Sequence, residues 1–183
     1  MESPGFLTRR FVFFVVLLGL ILTAPSGCDK YEISNLSRDK VEFFLIKSYK
    51  RMDYSQAIDE RSIELDRKPL VNYSDIISYS ASNHYFRFSD RGVKAVKGVE
   101  QSVNGVPFAL VADGELIYTG YFWPSFSSAS CEWITIDPLL VYSNNRMRVN
   151  LGYPGDFEGV PDRRNDQKLL DVLRRDDKLE LGQ

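Results

Sequence analysis

The chain has one histidine and two cysteines in 183 residues. That scarcity excludes a zinc centre built from ordinary Cys and His ligands. It also leaves His84 as the one imidazole available to act as a base. No GxSxG, Walker loop, HExxH or CxxC pattern occurs, and no glycine-rich loop between strand and helix is placed to cradle phosphate. Lysine and arginine form no dense cluster and the formal net charge is −2, so there is no electrostatic case for a nucleic-acid partner. The longest apolar run, Phe11 to Leu22, covers 12 residues. A membrane-spanning helix needs about 20.

What the N-terminus does contain is a tripartite export pattern. Arg9 and Arg10 supply the positive region, the apolar run follows, and Thr23 to Gly27 are small or turn-forming. A twin-arginine route fits poorly because Val12 and a very apolar core follow the arginines. The stretch ends on Ser26-Gly27-Cys28, which resembles a bacterial lipobox, with Pro25 where that pattern prefers a leucine-like residue. The resemblance implies cleavage before Cys28, lipidation of its thiol and N-terminus, and anchoring stronger than a single acyl chain provides. It divides the chain into a signal peptide (1–27), a tether (28–40) and one domain (41–183). Asp29 resembles the sorting signal that retains enterobacterial lipoproteins in the inner membrane. The rival readings are cleavage after Ser26, an uncleaved anchor, and a Cys28–Cys131 disulfide in an exported protein. With Cys28 lipidated, Cys131 reads as a small apolar strand residue.

The domain is expected to be α+β, with a mainly antiparallel sheet, one central helix and a C-terminal amphipathic helix. Strands are expected at Val41 to Lys47, Ile63 to Val71 with an interruption near Pro69, Asp75 to Ser80, and Tyr85 to Phe88. Ser89 or Asp90 caps a helix through DRGVKAVKGVEQSV, ended by Asn104-Gly105. Two hydrophobic runs joined by Asp113-Gly114 predict a hairpin with a type I′ turn. Alternation along its second strand sends Ile117 and Thr119 to one face and Leu116, Tyr118 and Gly120 to the other. Further strands are expected over Cys131 to Ile136 and from Met147, and a final helix over 162–178, capped by Asp162.

From Val41 to Ile136 this order resembles the periplasmic head of the SecD protein-export subunit. The matching passages are Pro69-Leu70-Val71, Asp75-Ile76, the helix opened by Gly92, and the strand pair around Asp113-Gly114. The resemblance covers roughly half the chain and none of SecD's membrane channel. It implies a fold and a habit of binding extended chains, not transport. The domain also looks like a module of uncharacterised bacterial lipoproteins.

Two kinds of site are expected. Aromatic side chains at Tyr121, Phe122, Trp123 and Phe126 follow the hairpin and form a candidate binding surface. Serines 125, 127, 128 and 130 could supply a nucleophile if a lysine or His84 came within hydrogen-bond reach; otherwise their hydroxyls serve the backbone. Asp156, Glu158 and Asp162 share a loop, but their spacing fits no calcium loop. The combined expectation is a lipid-anchored lipoprotein facing the periplasm or cell exterior. Its domain would bind an envelope protein or peptide without catalysis or cofactor. An envelope hydrolase is the alternative.

Overall fold

The computed structural model describes residues 38–180. Cys28, Asp29, the signal segment and most of the tether lie outside them. The domain is α+β. Nine strands form one sheet: β1 (Val41–Ser48), β2 (Glu64–Leu65), β3 (Ile76–Ser80), β4 (Tyr85–Phe88), β5 (Val106–Ala112), β6 (Glu115–Phe122), β7 (Thr135–Ile136), β8 (Arg146–Asn150) and β9 (Leu179–Glu180). Two helices, α1 (Asp90–Lys97) and α2 (Gln167–Arg175), pack on it. The spatial order is β2-β1-β5-β6-β7-β8-β4-β3-β9. Only the β6–β7 and β3–β9 pairings are parallel.

β1 and β4 stand five positions apart in that order, which in a flat sheet is about 24 Å. Yet the Phe43 ring meets Phe86 edge-on at 5.1 Å and Phe88 at 5.7 Å. The sheet therefore curls until its two halves face each other. The main core fills the space between them, where Phe43, Phe86, Phe88, Phe108, Tyr118 and Phe122 meet aliphatic residues and Leu169, Val172 and Leu173 of α2. A second core lies on the opposite face of β1, β5 and β6: Phe44, Ile46, Ala109, Val111, Tyr121, Trp123 and Cys131, covered by Ile58 and Leu65. Strands buried on both faces read as continuous apolar runs, which accounts for the composition of Val106 to Ala112.

The Asp113-Gly114 turn has φ of 52° and 74° at its two residues, as a type I′ turn requires. A register shift follows it: Leu110 pairs with Tyr118, but Val111 pairs with Leu116. Ile117 is the extra residue, so Ile117 and Tyr118 enter the same core and the expected alternation breaks there. Beyond the bulge Gly120 leaves room for Phe108; a Cβ would sit 2.7 Å from Phe108 Cζ and 2.8 Å from the Ile134 carbonyl oxygen.

Several elements are shorter than expected. Of 63–71, only Glu64–Leu65 is strand; Val71 bridges to Phe43 separately. Ser89 caps α1, its hydroxyl accepting from the Gly92 N–H at 3.1 Å and donating to buried Asp75 at 2.6 Å. The helix ends at Gly98, not at Asn104, because glycine is a poor helix residue and the next bond, Val99 N–H to the Val96 carbonyl, closes one residue short. The last helix begins at Gln167 under an Asp166 cap. Asp162 is instead engaged by Arg164, a buried guanidinium that also donates to the Val149 carbonyl at 3.1 Å. Over Cys131 to Ile136, Cys131 makes only an isolated bridge to Tyr153 before β7.

Gly120→Ala should destabilise the domain by about 1–3 kcal/mol, read from urea unfolding, because a backbone carbonyl blocks the new methyl. An unchanged midpoint would contradict this packing.

Candidate functional site

Strand directions bring the loops together. β1 is antiparallel to β5, β5 to β6, and β7 to β8, while β6 and β7 run parallel. Ser48, Val106, Phe122, Ile136 and Arg146 therefore lie at one end of the sheet. The segments 49–63, 98–105, 123–134 and 137–145 leave or enter there. They carry seven of the eight large hydrophobic side chains exposed among the described residues: Met52, Tyr54, Val103, Phe126, Leu139, Leu140 and Tyr142; the eighth is Ile77 in β3. The opposite end holds the Asp113-Gly114 turn and residue 39, where the chain enters the domain, tied together by the Asp39 N–H donating to Asp113 Oδ1 at 3.0 Å.

Local bonding holds these side chains outward. Tyr54 sits at a turn tip closed by the Met52 N–H to the Ala57 carbonyl at 2.9 Å. Its φ is 57° and its side chain is fully exposed. Such a backbone costs about 1–3 kcal/mol for a residue with a Cβ. Phe126, 57% exposed, rides a turn in which the Ser127 N–H donates to the Pro124 carbonyl. The Ser127 hydroxyl then donates to the Val103 carbonyl at 2.6 Å, placing Phe126 beside the loop that exposes Val103. Ser130 and Glu132 share a polar depression with the 51–56 turn.

Of the four aromatic residues expected at a surface, Phe126 alone is exposed. Tyr121, Phe122 and Trp123 are 1% exposed or less, which corrects that expectation. From Ile117 to Phe122 β6 is covered on both faces, so neither parity of its side chains reaches solvent there. Tyr121 and Trp123 belong to the second core and Phe122 to the first. Met52, Tyr54 and the 139–142 group were missed. The segment 48–62 reads as polar overall, and the two tyrosines and one methionine within it give no periodic signal.

Of the four serines, Ser127 has its hydroxyl bound to the backbone. Ser127 is buried, and its oxygen also accepts from the Ala129 N–H at 3.2 Å. Ser125 offers its carbonyl to the Tyr153 hydroxyl at 2.7 Å. Among the described residues none of the four serine hydroxyls is hydrogen-bonded to a lysine or to His84. Burial pushes the Cys131 thiol up to about 12, far from the thiolate a nucleophile needs. Asp156 accepts from the Leu151 N–H, and no cluster suited to a metal ion forms among the described residues.

His84 occupies the β3–β4 turn at φ 57°. The Tyr79 hydroxyl lies 2.8 Å from the Arg164 carbonyl and 3.1 Å from His84 Nδ1. A hydroxyl has one proton to give. It goes to the shorter contact, so Nδ1–H donates to the tyrosine oxygen. Burial, and then the nearby Arg164 charge, lower the His84 pKa below 6.5.

Two measurements follow. Phe126→Ser should leave stability within about 0.5 kcal/mol, whereas Trp123→Ala should cost about 3–5 kcal/mol; equal effects would contradict the division between surface and core. Because partial burial lowers the folded pKa of His84, the unfolded chain binds the extra proton first as pH falls from 7. Stability should therefore decline as pH falls below the unfolded value of 6.5 and level off below the folded one. Burial raises the pKa of Glu42, which acts in the opposite sense. His84→Asn, which tolerates the same φ, should remove the decline; an unchanged slope would contradict the assignment.

No protein-family model matches the chain, and no similar protein was found among curated sequences or solved structures.

Proposed function

We propose that this is a membrane-anchored envelope lipoprotein whose domain binds a protein or peptide partner without catalysis. In this reading residues 1–27 direct export, Cys28 carries the lipid and Asp29 acts in sorting. The domain faces the periplasm or cell exterior. The likeness to the SecD head is part of the proposal and rests on the Pro69–Val71, Asp75–Ile76 and Asp113–Gly114 passages.

The observation that carries the binding half is the gathering of exposed apolar side chains on loops at one end of the sheet. Exposed apolar residues scattered singly need no explanation, but a cluster marks an interaction surface. Strand addition is the less suitable mode. Both outer strands, β2 and β9, are two residues long, and short edges resist pairing. The chain enters the domain at the opposite end, so a tether there leaves the loop end facing away from the anchor.

A photoreactive residue at position 54 or 126 should give discrete protein adducts in cells, and one at Glu115, at the opposite end, should not. Adducts from position 115 alone would contradict the surface. For the anchor, Cys28→Ala should accumulate a larger, unprocessed precursor on a gel. Identical maturation of mutant and wild type would remove the lipid from the account.

A further inference from the structure

A concavity of about 320 Å³, with Met52 of the loop-end group among its lining residues, opens between the 58–61 turn and segment 161–163. This is within the range of small-molecule sites, about 300–1,000 Å³. Its floor is Ile58, Tyr118 and Ile134, each 2% exposed or less. Trp133 and Pro161 line it above that floor. The Trp133 indole is oriented by its N–H, which donates to Thr119 Oγ1 at 3.1 Å, so its ring is a fixed surface.

Two guanidiniums reach this cleft, and each is already paired with a carboxylate. Arg61 lies 3.0 Å from Asp59, and Arg163 lies 3.0 Å from Glu60. Arg163 also donates to the Leu116 carbonyl. An anionic ligand would have to draw a guanidinium from its carboxylate, and a cationic one the reverse. Either exchange leaves a charge without its partner. An uncharged ligand leaves both pairs intact and covers the apolar floor.

We propose that the cleft binds a small, uncharged, ring-bearing molecule, with the ring against Trp133 over Ile58 and Ile134. Met52 lines both this cleft and the loop-end surface, so the tests fall on Trp133 and Arg163, which belong to the cleft alone.

The test is a titration of the purified mature protein with three probes of one shape: phenylacetamide, phenylacetate and phenethylamine. Amide chemical shifts report the contact. The neutral amide should saturate, with both charged probes weaker by about tenfold or more. Trp133→Ala should weaken the amide by about tenfold. Arg163→Gln, which leaves Glu60 unpaired, should turn the preference toward the amine and serves if the tryptophan variant does not fold. Failure of the amide to saturate by about 10 mM, a wild-type preference for either charged probe, or undiminished binding by folded Trp133→Ala would each overturn the proposal.

Discussion

The contact between Phe43 and Phe86 sets the shape of this domain. It joins residues on strands that a flat sheet would hold far apart, and it does so with rings 5.1 Å from centre to centre. Edge-to-face aromatic pairs contribute about 0.5–1.5 kcal/mol beyond the area they bury. Here the pair belongs to a larger group, with Phe88 stacked on Phe86 and Phe108 tilted against Phe43. Curling the sheet turns one face into a closed interior. α2 covers part of that interior, and residues 178–180 are fastened beside it. Lys178 Nζ donates to the carbonyls of Tyr73 and Ile76 at 2.8 and 2.7 Å, and the Ser78 hydroxyl meets Glu180.

The same geometry decides what is left for binding. With β1, β5 and β6 buried on both faces, most of the aromatic side chains are consumed as core. Surface chemistry falls to the loops, and strand polarity sends four loop segments to one end. Tyr54 illustrates the consequence: a large side chain is held fully in solvent on a backbone that disfavours it. The polar network of buried Tyr79 and Arg164 with half-buried His84 and exposed Asp162 binds the 161–166 segment to β3 and β8.

Much of the local structure was legible. Tyr85–Phe88, the Ser89 cap and the Asp113-Gly114 turn each follow from residue types with one strong preference. What could not be read came from long-range pairing. The parallel β6–β7 contact has no local signature. The Ile117 bulge depends on which core each neighbour enters. Asp162 looked like a cap until Arg164 claimed it. The candidate surface failed at Tyr121, Phe122 and Trp123 for a related reason: a strand covered on both sides loses the period-two signal that separates inside from outside. Phe126 was legible because it lies past Pro124, beyond the strand.

The most direct test of this architecture is a double-mutant cycle on Phe43→Leu and Phe86→Leu, measured by urea unfolding. Direct ring contact across the curled sheet predicts a coupling of about 0.5–1.5 kcal/mol between the two substitutions. Additive effects, within about 0.3 kcal/mol, would mean that the rings do not meet and that the two halves of the sheet do not close on each other.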